Sequence, residues 1–67
     1  MSIKVERIRL GMTQKELADA IGVTDLTIGK YEKDPLIAKG KELTKMADLF
    51  GCSVDYLLER NPDRRDI

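Results

Sequence analysis

The chain contains no histidine, no tryptophan and one cysteine among its 67 residues. A lone Cys52 cannot form an intramolecular disulfide bond, and without histidine the usual ligand set of a zinc site is missing. No glycine-rich phosphate-binding loop occurs, and the cysteine has no histidine to act as its base. These absences argue against an enzyme, a metal and a cofactor, and the unpaired cysteine points to a cytoplasmic protein.

Long hydrophobic runs and an excess of charge are also missing. No run approaches the roughly 18 apolar residues of a membrane span, and no signal-peptide pattern opens the chain. Twelve Lys and Arg residues balance twelve Asp and Glu residues. The whole molecule therefore lacks the positive field that usually accompanies binding to duplex DNA. A neutral total still permits one basic face.

The size and composition predict one small domain. Hydrophobic residues make up 42% of the chain and charged residues 36%, which suffices for a small core and a soluble surface. We expect the domain to span 1–60. The segment 61–67 contains Asn61-Pro62 and mixed charges, so we expect it to be a frayed tail.

The stretch 14–33 contains two short helical patterns separated by a glycine-containing turn. Leu17, Ala18 and Ile21 form an apolar stripe on one side of a helix over 14–21. Thr13 is placed to cap this helix and to form a capping box with Glu16. Gly22 follows the last apolar residue, where the left-handed conformation of a helix end favours glycine.

The second pattern runs over 25–32 and begins after Thr24, which is a candidate N-cap. Ile28 faces inward, together with Tyr31 or Glu32. Ala18 is small where two helices would cross closely, and a glycine makes the turn between them. The stretch therefore predicts a helix-turn-helix, whose second helix is shaped to lie in a DNA major groove.

Three further helices are predicted outside this motif. The first spans 2–10, with Ser2 as a candidate cap and with inner-side candidates Ile3, Arg7, Ile8 and Leu10. The fourth spans 42–50, with a core stripe of Leu43, Met46, Ala47 and Phe50. The fifth begins at Val54, with Ser53 as its N-cap and Val54, Leu57 and Leu58 closing the core.

Two segments of the chain resemble the Cro/phage-repressor family of XRE-like regulators. They are IRLGMTQKELADAIGVT and LTKMADLFGCSVDYLL, and the likeness extends over roughly residues 3–59. The resemblance implies an all-α, compact five-helix domain of the lambda-repressor type, with the helix-turn-helix formed by its second and third helices. It also implies double-stranded DNA as the partner.

The resemblance also implies roles for individual residues. Positions that touch base edges in the family are occupied by Thr24, Asp25, Leu26 and Lys30. Contacts to DNA phosphates are expected from Gln14, Thr27, Lys33, Lys39 and Lys41. A largely buried ion pair is expected between Arg7 and Glu32.

Several residues keep two interpretations. Asp25 can accept from a cytosine amino group, or it can stabilise the positive end of its own helix. Gly29 departs from the family pattern, and it either gives the backbone close access to DNA or has no role. Thr27 and Lys15 can contact the DNA backbone or remain ordinary exposed residues.

The loop 33–41 departs most from the family. Asp34-Pro35 comes early, and Leu36, Ile37 and Ala38 replace a basic run. We expect Leu36 or Ile37, but not both, to plug the core under the loop, and the alternative is an exposed apolar patch for a partner chain. We expect Tyr56 on the surface, where the family tends to build its two-fold contact.

The sequence thus predicts a sequence-specific DNA-binding regulator. We expect a repressor that acts by occupying a roughly palindromic operator as a weak homodimer, without a membrane or small-molecule partner. The alternative is a protein-interaction module that keeps the helix-turn-helix fold without tight DNA binding. The two differ in whether the lysines at 15, 30, 33, 39 and 41 converge on one face.

Overall fold

Five α-helices and one 3₁₀ turn lie within residues 2–58, the part of the chain that the computed structural model describes. They are α1 Ser2–Arg9, α2 Gln14–Ile21, α3 Asp25–Lys33, the 3₁₀ turn Pro35–Ile37, α4 Gly40–Phe50 and α5 Val54–Leu57. The predicted all-α, five-helix fold is confirmed, and these residues contain no strand. The predicted domain end at residue 60 and the frayed tail 61–67 lie outside the described residues.

The ends of α2 are fixed by local hydrogen bonds that the sequence predicted. The Thr13 hydroxyl accepts from the Glu16 N–H at 3.0 Å, and the Glu16 carboxylate accepts from the Thr13 N–H at 2.8 Å. This reciprocal pair satisfies two donors that the first helical turn cannot use itself. Gly22 ends the helix at φ 83°, and its N–H donates to the carbonyl of Ala18. The predicted capping box and glycine C-cap are confirmed.

Two later helices, α3 and α5, begin with a side-chain cap of the same kind, and α4 ends at a glycine as α2 does. The Thr24 hydroxyl accepts from the Thr27 N–H at 3.3 Å at the start of α3, and the Ser53 hydroxyl accepts from the Tyr56 N–H at 3.0 Å at the start of α5. Gly51 closes α4 with φ 69°. Because each cap replaces lost hydrogen bonds, short polar residues at these positions delimit the helices well.

The boundaries around the loop differ from the prediction. Helix α3 runs on to Lys33, and α4 begins at Gly40, two residues before the predicted start at Glu42. Asp34 ends α3 in an extended conformation, as a residue before proline prefers, and its carboxylate accepts from the Leu36 N–H at 3.1 Å. Pro35 then begins a 3₁₀ turn, which leaves less open loop than the sequence suggested.

The expected plug under this loop is wrong. Leu36 is 64% exposed and Ile37 is 51% exposed, whereas Pro35 and Ala38 are buried. Residues three apart lie on the same side of a 3₁₀ turn, so Pro35 and Ala38 face the core together. The two larger residues between them are left in solvent.

One hydrophobic core joins the helices. The apolar stripe of α4 is buried as predicted, and all three candidate inner residues of α3 are buried: Ile28, Tyr31 and Glu32. The core consists of Ile3, Leu17, Ala18, Ile21, Ile28, Tyr31, Ala38, Leu43, Met46, Ala47, Phe50 and Leu57. Within residues 2–58 no helix is long and apolar enough to cross a membrane.

The predicted inner side of α1 is partly wrong. Ile3 is buried, but Ile8 is 57% exposed and Leu10 is 39% exposed. The residue that follows Ile3 on the inner side is Glu6, which is buried to 1% exposure. Ile3 and Glu6 are three residues apart and share one helix face, whereas Ile8 lies off that face and Leu10 falls beyond the helix end.

The buried Glu6 carboxylate is held by donors from two directions. The Arg9 Nε donates to its Oε1 at 2.7 Å, and the Tyr56 hydroxyl donates to its Oε2 at 3.1 Å. Arg9 also donates to the carbonyl of Phe50 at 3.0 Å. These bonds tie α1 to the end of α4 and to α5. Tyr56 is therefore half-buried and engaged inside the domain, which corrects its expected surface position.

We predict that Tyr56→Phe destabilises the domain and changes its response to alkaline pH. Burial raises the pKa of the Tyr56 hydroxyl above its ordinary value of 10.0, and the hydrogen bond to Glu6 raises it further. The unfolded chain then releases this proton first, so the free energy of unfolding falls as the pH rises above about 10. At neutral pH the free energy of unfolding of the variant should be lower by roughly 1–3 kcal/mol. Above pH 10 it should fall less steeply than that of the wild type.

Urea unfolding at pH 7 and across the alkaline range measures both effects. Tyr31→Phe is the control for the hydrogen bond at pH 7. Burial and the charge of Glu42 also raise the pKa of Tyr31, so this variant should likewise lose part of the alkaline slope, but it breaks no hydrogen bond to Glu6 and should lose less stability at pH 7. An alkaline slope identical in the wild type and Tyr56→Phe would contradict the assignment.

Candidate nucleic-acid interface

Helices α2 and α3 pack directly against each other across the turn at Gly22. Leu17, Ala18 and Ile21 of α2 and Ile28 of α3 are each at most 2% exposed. Their burial fixes which side of α3 faces outward. The arrangement is a helix-turn-helix, with α3 as its second helix.

The outer side of α3 carries four of the predicted site residues. Asp25, Leu26, Lys30 and Lys33 are all exposed, and Leu26 is 77% exposed. Such exposure of a leucine is unfavourable in a free domain, because its apolar surface remains in water. A ligand that covers this face would remove the cost.

A groove runs along this outer side and collects residues from three helices. Its lining consists of Lys4, Gln14, Asp25, Leu26, Gly29, Lys30, Glu32 and Lys33. The groove brings together five predicted DNA contacts, namely Gln14, Asp25, Leu26, Lys30 and Lys33, and Glu32 of the predicted ion pair. The other four predicted DNA contacts, Thr24, Thr27, Lys39 and Lys41, do not line it.

Thr24 and Thr27 are joined to each other at the start of α3. Their hydroxyl oxygens lie 2.9 Å apart, and the Thr24 hydroxyl also accepts from the Thr27 N–H. One hydroxyl must donate to the other, so the pair retains one free O–H. Thr24 therefore caps α3, and a contact with DNA would be a second role.

The other three lysines considered as DNA contacts lie at two places outside the groove. Lys39 is the N-cap residue of α4 and Lys41 is in its first turn, and both are exposed. Lys15 is exposed on α2, where its Nζ lies 3.7 Å from a carboxylate oxygen of Asp19. The five lysines that would distinguish the two predicted functions thus do not all line one groove.

The expected ion pair between Arg7 and Glu32 is present at the floor of this region. The Arg7 Nε donates to Glu32 Oε2 at 2.6 Å, and the two side chains are 11% and 8% exposed. The Arg7 Nη1 also donates to the carbonyl of Met12 at 2.8 Å. One arginine therefore connects α1, the turn before α2 and the end of α3.

Gln14 completes this network from the first turn of α2. Its Nε2 donates to Glu32 Oε1 at 3.1 Å, so both oxygens of the Glu32 carboxylate accept hydrogen bonds. The second N–H and the carbonyl oxygen of Gln14 remain available to a ligand. Gln14 lines the groove through a side chain whose position is set by Glu32.

Comparison with known proteins identifies the family to which the chain belongs. A helix-turn-helix family model matches residues 3–57, which include all of α2 and α3 and the helices that support them. The chain belongs to the XRE-type helix-turn-helix family. Its resemblance to the Cro/phage-repressor group is thereby confirmed, and the family is one of DNA-binding transcriptional regulators.

Two relatives of this XRE-type domain illustrate the match. The SPbeta prophage-derived uncharacterized HTH-type transcriptional regulator YonR of Bacillus subtilis is 37% identical over 57 residues, covering 85% of this chain and 53% of the relative. The HTH-type transcriptional regulator ImmR of the same organism is 32% identical over 59 residues, covering 88% and 46%. The chain spans about half the length of these curated relatives.

A charged residue that sequence reasoning missed belongs to the groove of this XRE-type domain. Lys4 lies on α1 three residues before Arg7, and it lines the groove beside Lys30 and Lys33. Residues three apart share a helix face. Because Arg7 was predicted to pair with Glu32 at the end of α3, the spacing of Lys4 and Arg7 could have shown that Lys4 also faces α3.

Positive charges outnumber negative charges in the groove. Lys4, Lys30 and Lys33 contribute three positive charges, while Glu32 is paired with Arg7 and Asp25 is exposed. The Asp25 carboxylate accepts from the Leu26 N–H at 2.9 Å in the first turn of α3. This contact fits its expected role at the positive end of the helix dipole. The groove carries a net positive charge although the chain is neutral.

We predict that Glu32→Ala lowers the free energy of unfolding by roughly 3–5 kcal/mol, because it leaves the guanidinium of Arg7 buried without its anion. Urea unfolding followed by circular dichroism measures the change. If Glu32→Ala is already unfolded in the absence of urea, the loss lies at the upper end of this range, because a small domain is stable by only a few kcal/mol.

The matched control is Asp19→Ala, which removes the anion of the exposed pair with Lys15. It should change the stability little, because solvent screens that pair. Equal effects of the two substitutions would show that the Arg7–Glu32 pair does not hold α1 to α3.

Proposed function

We propose that this chain is a sequence-specific, double-stranded DNA-binding transcriptional regulator, and that α3 reads the bases. The observation that carries the proposal is the groove along α3, where Lys30 and Lys33 lie beside Gln14 of α2. Membership of the XRE-type family supports it. A helix with one buried side and one exposed, cationic side fits the dimensions and the charge of the major groove.

Base readout is assigned to four residues at the exposed side and start of α3. Lys30 would donate to O6 or N7 of a guanine, and Leu26 or Thr24 would pack against a thymine methyl group. Asp25 would accept from a cytosine amino group. The 77% exposure of Leu26 supports its part, because contact with a methyl group would take its apolar surface out of water.

Phosphate contacts are assigned to the edges of this surface. Gln14 retains one N–H for a phosphate oxygen, and the Thr24–Thr27 pair retains one O–H. The lysines that would pair with the backbone are Lys4, Lys33, Lys39 and Lys41. Each such contact releases counterions, so the affinity should fall steeply as salt rises.

We also propose how the chain assembles on DNA and how its binding affects transcription. The chain would act as a weak homodimer whose two α3 helices enter major grooves about 34–36 Å apart on a roughly palindromic operator. Occupancy of the operator would repress transcription, without a cofactor or chemistry. The proposed location is the cytoplasm, with no membrane or small-molecule partner.

A second candidate function is a protein-interaction module that retains the fold. Leu36 and Ile37 favour it, because they are 64% and 51% exposed directly after α3. The zero net charge of the chain also favours it. An exposed pair of large aliphatic residues can be covered by a partner chain, whereas DNA phosphates would not bind it.

Fluorescence anisotropy of a labelled random-sequence duplex tests the proposal at low and at physiological salt. We predict binding at low salt that weakens as salt rises. Lys30→Glu should abolish it, because the substitution places a negative charge on the face that approaches the DNA.

Lys45→Glu is the control, since it makes the same change of charge at a lysine of α4 that does not line the groove. Because the Lys45 Nζ also donates to the carbonyl of Ile21 at 3.4 Å, circular dichroism must first show that this variant is folded. It should retain most of the affinity. No binding at low salt and tens of micromolar protein would contradict DNA binding and favour the interaction module. Equal loss in both variants would contradict a role for α3 in particular.

A further inference from the structure

The 3₁₀ turn after α3 presents two large aliphatic side chains to solvent. Leu36 is 64% exposed and Ile37 is 51% exposed, although Pro35 and Ala38 on either side of them are buried. The Asp34 carboxylate accepts from the Leu36 N–H at 3.1 Å, and the Ala38 N–H donates to the carbonyl of Pro35 at 3.1 Å. The turn therefore fixes the backbone from which both exposed side chains project.

The ends of this exposed segment carry opposite charges. Asp34 precedes the aliphatic pair and Lys39 follows it, and both are exposed. A two-fold axis reverses the direction of a segment, so an axis that sets Leu36 against Ile37 of a second copy also sets Asp34 against Lys39 of that copy. The segment 34–39 is thus complementary to itself in charge and in hydrophobicity. The groove along α3 is not, because its excess of positive charge would repel a second copy.

The size of the domain suits such a contact between copies on DNA. Half-sites one helical turn apart are separated by about 34–36 Å, and the described part of the chain measures 31 × 23 × 18 Å. A copy whose longest dimension lies along the DNA therefore fills almost the whole spacing. Leu36 and Ile37 follow α3 directly but do not line its groove, so they lie beside the proposed DNA-facing surface.

We propose that Leu36 and Ile37 form the contact between two copies of this chain on adjacent half-sites, with Asp34 of one copy beside Lys39 of the other. The inference deepens the proposed function, on which it rests, because it names the surface through which the weak homodimer forms. Lys39 keeps its assigned phosphate contact, since an ammonium group has three donors.

The contact is too small to hold two free chains together. Two partly exposed side chains supply far less than the area of a standard interface, which is about 800 Å² per partner. DNA that binds two copies side by side raises their effective concentration, so a weak contact then strengthens the binding of both. We therefore expect monomers at micromolar concentration without DNA, and cooperative binding to duplexes that hold two copies.

The first test compares random-sequence duplexes of two lengths at low salt. A duplex of about 11 base pairs offers one half-site, and one of about 22 base pairs offers two. Leu36→Gln combined with Ile37→Gln should leave the affinity for the short duplex unchanged. It should weaken binding to the long duplex by about tenfold, because the apolar contact between copies is lost.

Val5→Gln combined with Ile8→Gln is the matched control, because it removes another pair of large aliphatic residues, 54% and 57% exposed, from α1. It should bind both duplexes as the wild type does. Circular dichroism checks that both double variants are folded, as exposed positions allow. An equal loss in the two double variants would overturn the proposal, because the effect would then not be specific to the turn after α3.

The second test measures the proximity of the two copies by crosslinking. A short bismaleimide should join copies of Ile37→Cys on the long duplex but not copies of Ile8→Cys, because only residue 37 lies at the proposed contact. Cys52 is present in both variants, so crosslinks through it alone occur in both and cancel. Ile37→Cys that crosslinks no better than Ile8→Cys would overturn the proposal.

The inference and the proposed function fail in different ways. If the wild type does not bind the short duplex, the DNA-binding function fails and the contact on DNA fails with it. If the wild type binds the short duplex but the variant with glutamine at 36 and 37 binds the long duplex equally well, DNA binding stands. Only the contact between copies is then overturned, and the exposed pair is left to a partner of different sequence.

Discussion

The Arg7–Glu32 ion pair is the interaction on which the outward face of this domain depends. Arg7 comes from α1, Glu32 from the last turn of α3, and Gln14 from the first turn of α2. Because one carboxylate binds both donors, the three helices are held in an arrangement in which both oxygens of Glu32 accept a hydrogen bond. A rotation of α3 would leave at least one buried charge unpaired, which costs more than the pair itself gains. The network therefore specifies the orientation of α3 more than it adds stability.

A second buried carboxylate secures the other side of α1. Glu6 and Arg7 are neighbours in sequence but bind different helices, Glu6 the hydroxyl of Tyr56 in α5 and Arg7 the carboxylate of Glu32 in α3. Each is matched by a partner of opposite charge, since Arg9 donates to Glu6 and Glu32 accepts from Arg7. Among residues 2–58, no buried side-chain nitrogen or oxygen lacks a hydrogen-bond partner. An 8-residue helix with one deeply buried apolar side chain, Ile3, is thus anchored largely by polar contacts.

The elements that could be predicted from the sequence are those fixed by local chemistry. Caps such as Thr13 and Gly22 act within a few residues, so the sequence shows them directly. The inward side of α1 could not be read from hydrophobicity, because a buried glutamate replaces the expected apolar residues and its partner Tyr56 lies 50 residues away. Lys4 was missed for a related reason: its place in the groove depends on how α1 packs against α3. The DNA contacts themselves remain predictions.

The central claim is that the groove along α3 is the surface that meets DNA. A titration of the ¹⁵N-labelled chain with a random-sequence duplex at low salt tests it most directly, because amide resonances report each residue separately. The account predicts that the largest shifts occur along α3, from Asp25 to Lys33, and at Gln14, and that they diminish as salt is added. Shifts confined to Leu36, Ile37 and the outer side of α1, with α3 unchanged, would contradict it.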